Sequence, residues 1–142
     1  MTVRSAFDIL VRQQLSAVTF VHDYLQLQFN PTPRLNLYTP GTVYGRDAKA
    51  TQGEPLFAHL VVRQIGHLVQ SVWYRESDAL ELMFPKEYIV SISLNPDAYS
   101  GPEAVEMSRD DDCHLRSAAP MLRVRRVSIN SSDACFTLKR CP

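Results

Sequence analysis

The apolar residues in the first two-thirds of this chain are written twice, in the same order. Phe7, Leu10, Val11 and Leu15 recur as Phe57, Leu60, Val61 and Ile65, each 50 positions on. Leu25, Leu27, Phe29, Leu35 and Leu37 recur as Leu80, Leu82, Phe84, Val90 and Ile92, each 55 positions on. The first set has the spacing of a helix face, the second the alternation of strands. The unit reads as a short helix followed by a β-hairpin, present at residues 6–39 and again at 56–94. A pseudo-twofold relation between the two halves is the corresponding expectation.

Local signals support this reading. Ser5 and Asp8 have the spacing of a capping box, which predicts a helix over about residues 6–15. Val18 and Phe20 alternate with polar neighbours, and His22-Asp23 marks a tight turn. Leu25–Phe29 and Leu35–Tyr38 form the next two strands, separated by Asn30-Pro31-Thr32-Pro33. Residues 40–54 read as a loop with a short strand around Val43, and Pro55 suits the first turn of the second helix. Val69, Val72, Trp73 and Tyr74 open the second hairpin, which turns at Arg75–Asp78 and continues through Leu80–Phe84 and Tyr88–Leu94. Adjacent strand residues face opposite ways, so one of Trp73 and Tyr74 is a candidate for the outer face.

After Asn95 the repeat stops and charge separates. Residues 97–112 hold six acids against one base, and residues 113–142 six bases against one acid. Val127–Ile129 and Phe136 with Leu138 suggest a closing hairpin around the turn at Asn130–Asp133. Residues 95–142 are thus an acidic loop followed by a basic hairpin. The fold class is α+β: a mainly antiparallel sheet from two helix–hairpin repeats and a C-terminal hairpin, with two short helices packed on it.

With 142 residues, one domain spanning 1–142 is expected, and 45% apolar residues suffice for a core. Fifteen basic and fifteen acidic residues cancel, so no global field favours nucleic acid or membrane. No apolar run reaches the length of about eighteen residues that a membrane span needs. Asp8, Arg12 and Gln13 interrupt any signal-peptide core, which points to the cytoplasm. Cys113, Cys135 and Cys141 are too few for a disulfide scaffold, and reduced thiols are expected, with a Cys135–Cys141 pair as the alternative.

The densest polar cluster is Asp110-Asp111-Asp112-Cys113-His114. It mixes hard carboxylates with soft ligands and lacks a second ligating element, so a solvated acidic loop is the preferred reading. His59 and His67 are too far apart to ligate from adjacent helical turns, and His22 sits in a turn. Glu76, Asp78 and Glu81 surround a hairpin turn, where burial is too slight for paired-carboxylate chemistry. No phosphate loop or nucleophile elbow is present. No catalytic, cofactor-binding or metal-binding residue is assigned, and no cofactor is expected.

Binding is the remaining theme. Arg123, Arg125, Arg126, Lys139 and Arg140 could meet phosphates, but a polar sheet face paired with the preceding acidic segment is preferred. Trp73 and the tyrosines 38, 44, 74, 88 and 99 are of the types enriched at interface hot spots.

The second copy, from Ile65-Gly66 through Leu80-x-Leu82-x-Phe84 and Ser93-Leu94 to Tyr99-Ser100-Gly101-Pro102-Glu103-Ala104, resembles short uncharacterised bacterial proteins. They combine a glycine-containing helix end, a strand hairpin and a Gly-Pro-Glu-Ala segment, and some resemble immunity proteins that neutralise a toxin of the same cell. The resemblance covers about half the chain and contains no catalytic motif. The first copy departs from it with Ser16 in place of Gly66, and the basic hairpin has no counterpart in it. It implies non-enzymatic binding and carries over no site residue.

The leading expectation is therefore a cytoplasmic protein-binding module, an immunity protein that occludes a toxic partner. Glu103, Glu106, Asp110, Asp111 and Asp112 are expected to face a basic toxin domain, because opposite charge steers association. The alternatives are a metal-dependent or thiol enzyme built on Asp110–His114, and a structural or regulatory subunit that dimerises through sheet edges.

Overall fold

A computed structural model describes residues 6–22, 24–30, 32–98, 103–108, 127–129 and 135–139, with Glu103 and the last two segments described by backbone alone. In chain order the elements are a 3-10 turn (Asp8–Leu10), β1 (Gln14–Val21), β2 (Tyr24–Asn30), β3 (Arg34–Leu37), β4 (Gly41–Tyr44) and β5 (Lys49–Thr51). The helix α1 (Pro55–Val62) follows, then β6 (Ser71–Arg75), β7 (Ala79–Phe84), β8 (Tyr88–Ser93), β9 (Glu103–Ser108), β10 (Val127–Ile129) and β11 (Cys135–Lys139). Short 3-10 turns at Pro85–Glu87 and Pro96–Ala98 flank β8.

These strands form two antiparallel sheets: a six-stranded one ordered β1-β2-β3-β9-β11-β10 and a five-stranded one ordered β5-β4-β8-β7-β6. Each sheet has one apolar face, and the two bury those faces in one shared core. Each sheet is built on a three-stranded meander, β1-β2-β3 or β6-β7-β8. The next strand of each comes from the other half of the chain: β9, which follows β8, pairs with β3, and β4, which follows β3, pairs with β8.

The 55-residue offset coincides with the pairing register. Leu25 is opposite Leu37 and Leu27 opposite Leu35, while Leu80 is opposite Ile92 and Leu82 opposite Val90. All of these, with Phe29 and Phe84, are buried. Alternation explains this, since residues two apart share a sheet face whatever strand lies alongside.

The 50-residue offset corresponds less well. The helix expected over 6–15 is cut short: Ala6 and Phe7 are helical, Asp8–Leu10 is a 3-10 turn, and β1 begins at Gln14. Arg12 turns the chain through a left-handed φ of 71°. Its N–H then donates to the Val69 carbonyl, and the Leu15 N–H to that of His67, so a segment far along the chain recruits backbone that a longer helix would have used. At the matching end of the second copy, Ile65 lies beyond α1 and is 40% exposed, whereas Leu15 is fully buried. Among the described residues, the eight residues of α1 are the one complete α-helix, and of the first helix only Ala6 and Phe7 are seen as helical.

Phe57, Leu60 and Val61 anchor α1 in the core. The Phe57 ring approaches Gly41, where an added Cβ would meet it at 3.4 Å. Within residues 40–54 the short strand expected around Val43 is β4, with β5 paired beside it, and the C-terminal hairpin does join the larger sheet through β11 and β9. Among the described residues no helix is long and apolar enough to cross a membrane.

Candidate functional site

The outer face of the five-stranded sheet follows from its inner one. With Leu80, Leu82, Val90, Ile92 and Val43 turned inward, alternation turns the row Trp73–Glu81–Ser91–Thr42–Thr51 outward. The row beside it is Ser71–Met83–Ile89–Tyr44–Lys49. Trp73 is 50% exposed and Tyr44 38%, with Met83 and Ile89 half-buried between them. This is a sheet face with large apolar side chains set among polar ones.

The sequence leaves open which of Trp73 and Tyr74 faces outward. Tyr74 shares the inward parity of Val72 and stacks on Phe7 at 5.9 Å between ring centroids, so Trp73 is the outer residue. Its neighbours are fixed by charge. Arg75 bonds Asp78 at 2.8 Å and Glu81 at 3.0 Å. The Asp78 hydrogen bond, followed by the charge of Glu81, raises the guanidinium pKa above its ordinary value. Across the sheet the Lys49 ammonium lies 5.4 Å from the centre of the Tyr44 ring.

Beyond this face, the β4–β5 and β7–β8 turns and the C-terminal end of α1 border an open pocket of about 550 Å³ lined by Arg46, Asp47, Ala48, Arg63, Lys86, Glu87 and Tyr88. Arg46 and Glu87 bridge the two turns at 3.0 Å. Lys86 and Glu87 both have left-handed backbone, at φ of 62° and 66°. The Arg63 guanidinium lies 5.9 Å from the centre of the Tyr88 ring. Three cations, two carboxylates and a ring give this pocket a mixed polar character.

The acidic residues singled out from sequence are placed as follows. Glu106 is only 7% exposed and accepts a 3.0 Å hydrogen bond from Asn36, which accepts one of 2.9 Å from Gln26. It is therefore engaged within the sheet and not presented outward as a steering charge. Glu103 is described by its backbone in β9, at the register position of Lys139 on β11. The acidic and basic segments thus meet as neighbouring strands. Asp110, Asp111, Asp112, Cys113 and His114 lie outside the described residues, as do Arg123, Arg125, Arg126, Arg140 and Cys141.

The other candidates are dispersed. His22 and His59 are exposed, and His67 is half-buried with its carbonyl bound to Leu15. Among the described residues no three His, Cys, Asp or Glu side chains gather where a metal ion could be held. The outward direction of Glu81 could have been drawn from the strand parity of Leu80 and Leu82, whereas that of Trp73 needs the register between β6 and β7. The pocket could not, because its walls come from turns about 40 residues apart in the chain.

Comparison with protein-family models, with curated proteins and with solved structures gives no match to this chain.

Proposed function

We propose that this chain is a non-enzymatic protein-binding module acting in the cytoplasm, an immunity protein that occludes a toxic partner. The docking surface is the outer face of the five-stranded sheet, centred on Trp73. The observation that carries this reading is a half-exposed tryptophan on the edge strand β6, beside an arginine held by two carboxylates. Trp and Arg are the residue types that dominate interface hot spots, and strands hold them with little freedom to lose on binding. The acidic run, Glu103 with Asp110–Asp112, supplies charge that steers a basic partner. The two helix–meander units are copies of one ancestral unit.

Trp73 is the sole tryptophan, so its fluorescence reports directly on this face. The test mixes the chain with the product of the adjacent gene. Complex formation with a blue shift in emission, and protection of cells that the wild-type chain gives and Trp73→Ala loses, are the expected results. A complex whose emission does not move removes Trp73 from the interface, and failure to protect ends the immunity reading. Replacing Asp110, Asp111 and Asp112 by asparagine should slow association at low salt; an unchanged rate removes the acidic run from the interface.

A further inference from the structure

Proteins blunt the edges of their sheets with short strands, charges and prolines, because an open edge pairs with whatever strand it meets. Among the described residues, three of the four sheet-edge strands follow that rule. β10 and β5 have three residues each, and β5 carries Lys49; β6 has five and ends in Arg75. The fourth edge does not. β1 is eight residues long, the longest strand among the described residues, and its sequence Gln-Leu-Ser-Ala-Val-Thr-Phe-Val contains no charge and no proline.

Among the described residues, only the start of β1 is covered, by the Leu15 N–H on the His67 carbonyl and the Gly66 N–H on the Leu15 carbonyl. From Ser16 to Val21, among the described residues, no backbone hydrogen bond joins this edge to anything but β2. The same stretch exposes Phe20 at 50% and Val21 at 39%.

We infer that β1 pairs antiparallel with β1 of a second copy of this chain, about a twofold axis perpendicular to the sheet at Thr19. The occupant is chosen by self-complementarity. Such an axis keeps each sheet face on its own side, so only residues of like parity meet. Centring it on Thr19 sets Val18 against Phe20 of the second copy on the core side, where these residues lie opposite Leu27 and Leu25. It sets Ala17 against Val21 of the second copy on the outer side, where they lie opposite Gln28 and Tyr24. Each exposed apolar residue meets an apolar partner, and no like charges face each other because the strand has none. The two Thr19 hydroxyls meet at the axis and extend the polar row Thr19–Gln26–Asn36–Glu106 across both copies. The pairing uses both edges at once, so assembly stops at two.

Light scattering over a wide range of protein concentration tests this. The wild-type chain should reach twice its 16.1 kDa mass at the upper end. Thr19→Lys should return it to the single-chain mass, since two ammonium groups would then face each other at the axis. Thr19 is exposed in the single chain, so circular dichroism should be unchanged. As a second probe, Thr19→Cys should form an interchain disulfide on mild oxidation that the wild-type chain does not form. A wild-type chain that stays monomeric overturns the inference. So does a dimer that survives Thr19→Lys, or a Thr19→Cys chain that gives no cross-link beyond the wild-type background.

Discussion

Asn36 donates a 3.0 Å hydrogen bond to Glu106, 70 residues further along the chain, and both side chains are buried on strands that pair directly. Gln26 completes the ladder by donating to Asn36. Replacing Asn36 with alanine deprives a buried carboxylate oxygen of this donor and leaves the Gln26 amide without that acceptor. The expected loss is about 1–3 kcal/mol of unfolding free energy, read by urea denaturation. A loss within a few tenths would show that water replaces Asn36 without cost.

The two offsets make different predictions for residues that look equivalent in sequence. Leu27 and Leu82 are both fully buried at matched register positions, so either change to alanine should cost about 2–5 kcal/mol. Ile65 aligns with buried Leu15 but is 40% exposed, so Ile65→Ala should cost about 1 kcal/mol or less. Leu15→Ala should fall with the first pair. Chemical denaturation of the four variants gives the comparison, and a large loss at Ile65 would contradict its placement.

Gly45 is required by proximity, not by backbone conformation. A Cβ added there would come within 2.8 Å of Cε1 of Tyr88, a half-buried ring packed against the core. Gly45→Ala should therefore destabilise by about 1–3 kcal/mol as the ring is displaced. The same change in a Tyr88→Ala background should cost far less, and the double-mutant cycle isolates the clash.

Lys86 is exposed and adopts φ 62°, ψ 32°, a conformation that L-residues other than asparagine and aspartate adopt reluctantly. Glycine relieves that cost but has more freedom to lose on folding. Lys86→Gly should raise stability by about 0.5–1 kcal/mol, visible as a higher melting temperature, whereas the β-branched Lys86→Val should lower it. No gain on glycine substitution would mean that the turn relaxes without it.

The meander cores were readable because alternation fixes which residues share a face before any partner strand is known. Leu25 through Ile92 needed nothing else. The predicted helix over 6–15 failed at Arg12, where Val69, 57 residues away, takes up the backbone N–H. The short strand expected around Val43 is β4, whereas β5 has only three residues, and the pairing of β4 with β8 joins positions more than 40 residues apart. Glu106 looked like a surface acid; its engagement depends on Asn36 across a strand pairing that no local pattern reveals. Trp73 was legible as a choice between two residues, decided by strand parity.

The exchange of strands between the halves bears on how the polypeptide comes into being. Leu35 and Leu37 leave the ribosome about 70 residues ahead of Val105 and Met107, their register partners on β9. At translation rates of about 5–20 residues per second, that flank of the first meander waits several seconds for its neighbour. Neither half can complete a sheet alone, since each fourth strand is encoded in the other. Two fragments divided between β5 and α1 should therefore stay unfolded apart and recover structure only when produced together, by mutual complementation.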